Sequence, residues 1–215
     1  MRIVKDAEER RNEILDAADE LFMKKGFDNT STNDILEKVN IARGTLYYHF
    51  RSKEDIMDAL IKRYNDQILS AVKKVAKDKS LPVNERIICA VMAMNISDRK
   101  GKEILEHIHK PQNALMHQKT HQLIISNVTP ILAEIVQEGI EEGLFNTPFP
   151  YECVEMIIVY SNIIFDDESI LVTDEERNKR MQALIYNAEK LLGAKSGSLQ
   201  EMAYLIKQGG NEPNE

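Results

Sequence analysis

The sequence predicts an all-α protein in two parts: a short three-helix unit at the N-terminus and a longer helical body behind it. Two observations carry this. Apolar residues recur at helical spacing almost throughout, and no alternating strand pattern lasts four residues without a helical alternative. Two capping signals, Ser31 with Asp34 and Ser52 with Asp55, bracket a short helix, a turn and a second short helix.

The first helix is expected over about 6–25. Ile14, Ala17, Ala18, Leu21 and Phe22 form one stripe, flanked by Glu13, Asp16, Asp19 and Glu20. Lys24 and Lys25 suit the negative end of its dipole, and Gly26 is placed to cap it. A second helix starts at Ser31, with Ile35, Leu36 and Val39 as its apolar face. Asn40 tolerates the left-handed backbone of a tight turn, and a third helix follows over about 42–49. This is helix-turn-helix spacing. Ser52 opens a long fourth helix running to about Lys79, where Ser80-Leu81-Pro82 breaks it. Further helices are expected at about 83–97, 100–108, 113–143, 150–165, 173–193 and 198–208. Pro130 should kink or split the longest of them. The tail at 209–215 is expected to be disordered.

Composition narrows the class. A chain of 215 residues, 43% hydrophobic and 29% charged, can bury a core as one or two compact units. No stretch approaches the roughly 18 uncharged apolar residues of a membrane span, so no membrane partner is expected. The start turns acidic at Asp6, Glu8 and Glu9, where a secretory signal would turn apolar. Cys89 and Cys153 form no CxxC pair and are expected to be inert thiols. Together these point to the reducing cytoplasm.

The net charge of −7 argues against a nucleic-acid partner, but its distribution points the other way. Residues 38–53 hold Lys38, Arg43, Arg51 and Lys53 and no Asp or Glu. Attraction to phosphates is screened within about 10 Å at 0.1 M salt, so the local patch outweighs the total. On the third helix Leu46 and Phe50 turn inward with Ile41. Arg43, Thr45, Tyr48 and His49 are left outward or sideways, with donors for phosphates and base edges. Gly44 weakens the helix but lets its backbone approach a surface. The Tyr47 ring also fits between the first and fourth helices, with its hydroxyl free to reach outward.

These residues resemble the TetR family of transcription regulators. The likeness runs from about Arg11 to Leu60. It includes Ile14-Leu15-x-Ala17-Ala18-x-x-Leu21-Phe22, Gly26-Phe27, Thr30-Ser31, Ile35, Ile41 through Phe50, and Ser52-Lys53-Glu54. It departs at Asn40, where Gly is frequent, and at Ala42, where a Ser cap is frequent. The resemblance implies that Arg43, Gly44, Thr45, Tyr48 and His49 face DNA, and that Thr30, Ser31, Tyr47 and Lys53 hold phosphates. It implies a helix-turn-helix DNA-binding domain at 1–52 and an effector-binding and dimerisation domain at 53–208. The function implied is a ligand-responsive repressor, without cofactor, binding a palindromic operator as a homodimer.

In the body, the resemblance places a dimer interface on the last two long helices. Val154, Ile157, Ile158, Ser161, Ile164 and Phe165 are its candidates on one, and Met181, Leu184, Ile185, Ala188 and Leu191 on the other. Effector-pocket candidates are Met92, Met94, Asn95, Leu105, His109, Leu115, Met116, His121, Ile125 and Tyr160, since methionines make adaptable apolar walls. His107, His109, His117 and His121 cluster, with the last two at i, i+4, a spacing that suits a metal. A metal-dependent helical enzyme is one alternative on that account, and a helical protein-interaction module is another. No phosphate loop, GxSxG elbow or HExxH motif supports the enzyme.

Overall fold

The computed structural model describes residues 6–94, 114–166 and 173–200. Among them every regular element is a helix: α1 Ala7–Lys25, α2 Thr32–Val39, α3 Arg43–His49, α4 Lys53–Ala76, α5 Val83–Met94, α6 Ala114–Glu141, α7 Pro150–Asp166 and α8 Asp174–Leu192. The expected helices at 100–108 and 198–208 and the tail at 209–215 fall wholly or largely outside the described residues.

Local chemistry explains the boundaries. Asp6 caps α1, and the Gly26 amide closes its end on Phe22 O at φ 85°. Ser31 and Asp34 form a reciprocal capping box on α2, and Asn40 ends it in the left-handed region at φ 55°. Ala42 gives α3 no side-chain cap, as its lack of an oxygen requires. Ser52 Oγ accepts the Asp55 amide at 3.1 Å, while Asp55 reaches back to the Arg51 amide at 2.9 Å. Helix α4 ends at Ala76, earlier than expected. Asp78 accepts the Ser80 amide at 3.1 Å, a local turn that competes with continuing the helix. Pro130 does not split α6, which runs unbroken through it. Helix α6 is long and apolar enough to cross a bilayer by length and composition, against the sequence-based expectation; its Val128, Leu132, Ile135 and Val136 nonetheless pack in a protein core.

The described residues fall into two compact units, 6–66 with 114–120, and 67–94 with 121–200. The division between these units lies inside α4. Ile56, Met57, Leu60, Ile61 and Tyr64 are buried with the first unit, and Ile68 and Val72 belong to the second core. The first unit buries Ile14, Leu15, Phe22, Ile35, Leu46 and Phe50 almost completely. Phe22 meets Phe27 edge-on at 5.2 Å.

The second core gathers Val83, Ile87, Ile135, Phe145, Val154, Ile158, Ile185 and Leu192. Gly139 is required by packing: a Cβ there would stand 2.4 Å from the Phe145 ring. Buried Arg86 donates to Glu138 at 2.5 Å and to Ala76 O at 3.2 Å. Thr173 and Glu176 form the capping box of α8, and Gly193 ends it at φ 60°. Buried Glu189 accepts the amides of Gly197 at 2.9 Å and Leu199 at 3.0 Å.

Candidate nucleic-acid interface

Helix α3 is amphipathic in the sense the sequence implied. Leu46 and Phe50 are buried, and Arg43, Gly44, Tyr47 and Tyr48 are exposed, Tyr48 at 77%. Ile41, Thr45 and His49 are half-buried. A Cβ added at Gly44 would meet nothing within 4 Å, so no packing demands glycine there. Tyr48 and His49 stack edge-to-face at 4.9 Å.

Other predicted contact residues are committed to the fold. Thr30 is 1% exposed, and its hydroxyl is directed at Gly26 O (2.8 Å) and Leu21 O (3.3 Å). Ser31 is exposed, but its hydroxyl serves the capping box. The Lys53 ammonium donates to Phe27 O at 2.7 Å and lies 4.1 Å over the Phe27 ring centre. The acid-free window is also less cationic in space than in sequence. Glu20 of α1 meets Lys38 at 2.5 Å. Lys25 meets Asp34 at 2.8 Å; its hydrogen bond, with that of Ser31, holds the Asp34 carboxyl far below the usual range.

Two functional candidates are not signalled by the helix-turn-helix pattern. Arg11 of α1 is exposed and lies 4.8 Å over the Phe50 ring, and Arg10 is paired with Glu13 at 2.5 Å. Partial burial, then Arg11, then Arg10, push the His49 imidazole below its ordinary value. The adjacent Arg10-Arg11 pair was the available signal. Asn33, whose Oδ1 accepts Arg43 Nη2 at 3.1 Å, had none, because the partners are ten residues apart on two helices.

In the body, Val154, Ile158, Ile185 and Ala188 lie in the chain's own core, with Ile157, Met181 and Leu191 packed against it. Ser161, Ile164, Phe165 and Leu184 are half-buried. A core side chain offers little to a partner. The exposed stripe of α7 is instead Met156, Tyr160 and Ile163, at i, i+4 and i+7, with Tyr186 exposed on α8. Of the effector candidates, Met116 is buried, Met92, Met94, His121 and Ile125 are half-buried, and Leu115 and Tyr160 are exposed. Asn95, Leu105 and His109 lie outside the described residues, as does His107. Among the described residues no three His, Cys, Asp or Glu come together as a metal-holding group.

Comparison with known proteins agrees with this geometry. Residues 14–60 match the family of bacterial regulatory proteins named for TetR, and 94–185 match the tetracyclin repressor-like C-terminal domain. The transcriptional repressor KstR2 of Mycobacterium tuberculosis is 25% identical over 73% of this chain and 80% of its own. The fatty acid metabolism regulator of Bacillus subtilis is 27% identical over 61% of this chain and 68% of its own. Among solved structures, GusR of Salmonella enterica is 20% identical, with a TM-score of 0.60 over 90% of this chain and 100% of its own. RolR in complex with resorcinol is 17% identical, with a TM-score of 0.59 over 92% of this chain and 94% of its own. Helix-turn-helix at the front, repressor-like helical domain behind, the chain belongs to the TetR family and is a transcription regulator, not an enzyme.

Proposed function

We propose that the protein is a ligand-responsive repressor that binds a palindromic operator as a homodimer in the cytoplasm. The observation that carries the DNA-binding half is α3 itself. Leu46 and the capping Phe50 are buried while Arg43, Gly44, Tyr47 and Tyr48 are left exposed on a helix with no acid. In this reading Arg43, Thr45 and Tyr48 face base edges, and His49, Tyr47 and Arg11 face phosphates. Thr30, Ser31 and Lys53 act by fixing the scaffold from which α3 projects.

The dimer is assigned to the Met156–Tyr160–Ile163 stripe with Tyr186. A stripe of large apolar side chains left in water is the kind of surface a second copy covers. Recognition helices paired in this way would sit about 34–36 Å apart on successive major grooves. The test is a gel shift of a palindromic promoter fragment together with sedimentation. Ile163→Glu is expected to yield monomers at micromolar concentration with unchanged helical content, to melt earlier because the partner's stabilisation is gone, and to lose the palindrome. A variant that stays dimeric moves the interface elsewhere.

The effector is proposed to be a small, largely apolar molecule held in the C-terminal domain. The resorcinol complex of a chain of this fold, and the methionines of α5 and α6, support that class. Control requires unequal affinity of the ligand for the DNA-binding and released states.

Gly44 separates binding from folding. Gly44→Ala is expected to stabilise the protein by up to about 1 kcal/mol, since its Cβ meets only open space. It should also weaken operator binding roughly tenfold, or about 1.4 kcal/mol, by holding the backbone off the groove. Melting curves and anisotropy titrations read the two effects separately.

His49 gives the interface a pH dependence. Its lowered value keeps the imidazole neutral near pH 7. A nearby phosphate favours the charged form, so DNA binding takes up a proton, and affinity should rise as pH falls from 7.5 to 6. Stability of the free protein moves the other way. Below the unfolded value of about 6.5 the unfolded chain gains the proton first, and folding weakens. His49→Gln should flatten the affinity profile, as titrations at fixed salt will show.

A further inference from the structure

The cations around the helix-turn-helix are held in two different ways. Lys25 and Lys38 are each matched with a carboxylate, Asp34 and Glu20. Such pairing cancels their charge toward an approaching phosphate. Arg43 is held by a neutral group, the Asn33 amide, whose Oδ1 accepts from Nη2 at 3.1 Å. A neutral acceptor fixes the direction of the guanidinium and leaves its charge intact. Of its five donors, one on Asn33 leaves enough for the paired acceptors O6 and N7 of guanine.

The anchor itself is well placed. Asn33 is the second residue of α2, inside a turn locked by the Ser31–Asp34 box and by the Lys25–Asp34 ion pair. Arg43 is the first residue of α3, beyond the turn that Asn40 makes in the left-handed region. A side chain as long as Arg loses much rotamer freedom when it is fixed on a base. A tether formed before DNA arrives removes part of that loss.

We propose that Asn33 is a positioning residue that crosses the helix-turn-helix to aim Arg43 at a guanine in each operator half-site. The proposal rests on Arg43 being a base reader. Asn33 acts through Arg43 and needs no DNA contact of its own. A carboxylate at position 33 would hold Arg43 as firmly but would cancel the charge that draws it to DNA.

The test uses the full-length protein and a library of randomised 30-base-pair duplexes. Sequences selected by the wild type define the preferred half-site. Affinities for the selected duplex and for a scrambled one are then measured at fixed salt for wild type, Asn33→Ala, Arg43→Ala and the double variant. Asn33→Ala is expected to weaken the selected duplex about 3- to 10-fold per half-site, and to reduce the preference for guanine at one position. The scrambled duplex and the melting temperature should be unchanged, and Asn33→Ala should have no effect in the Arg43→Ala background. Equal loss on both duplexes, or an equal loss in both backgrounds, overturns the proposal, because Asn33 then contacts DNA independently. No loss at all also overturns it. If Arg43→Ala itself leaves base preference intact, the base-reading role of Arg43 fails first and this proposal falls with it.

Discussion

Phe50→Ala is expected to destabilise the DNA-binding unit by about 3–5 kcal/mol, the usual cost of truncating a buried Phe. Three observations support a value at this end. The side chain is 2% exposed, so the ring has no solvent route to relax into. Its amide closes α3 on Leu46 O at 2.9 Å, so a backbone shift there frays a helix of only seven residues. Arg11 lies over its ring at 4.8 Å, and that contact is lost with the ring. Against a typical domain stability of about 5–15 kcal/mol, the variant should melt far earlier. Tyr48→Ala, two residues away and exposed to water, should stay within about 0.5 kcal/mol of wild type. Urea denaturation of the two variants makes the comparison. A small loss for Phe50→Ala would mean that the unit repacks around the gap.

Arg43→Ala has the largest expected effect on function. The side chain is exposed and its hydrogen bond to Asn33 lies at the surface, so stability should barely change. Removing one good base contact costs about 1–3 kcal/mol, or roughly 5- to 150-fold per half-site. The pattern of loss identifies the contact. A base reader loses discrimination at one position. A phosphate contact weakens all sequences alike and lowers the salt slope by about 0.9. Titrations of the selected and scrambled duplexes between 50 and 200 mM salt separate the two.

What was legible in the sequence was the chemistry that acts over four residues or fewer. The Ser31–Asp34 box, the left-handed Asn40, the missing oxygen at Ala42 and the Thr173 start of α8 are all local, and all shape the structure where they stand. The inward turn of Leu46 and Phe50 follows from helical period alone. What period cannot supply is the partner across space. Glu20 reaches Lys38 from eighteen residues away, so a window free of acids in sequence is not so in the fold, and Lys53 is drawn to the Phe27 carbonyl from twenty-six residues away. Thr30 reads as a phosphate donor until its hydroxyl is seen tied to Gly26 and Leu21. Helix α7 shows the same limit. Its Val154–Ile158 stripe and its Met156–Tyr160–Ile163 stripe are equally apolar, and nothing in the period says which one the chain keeps for itself.

The carboxylate of Glu189 sets a limit on how far the chain can be trimmed. Deleting everything after Leu192 would strand a buried carboxyl group with these two amide donors gone, and would remove Leu199 from the core it helps to fill. Shortened versions meant for crystals or biosensors should therefore keep residue 199, and reporter fusions belong beyond it.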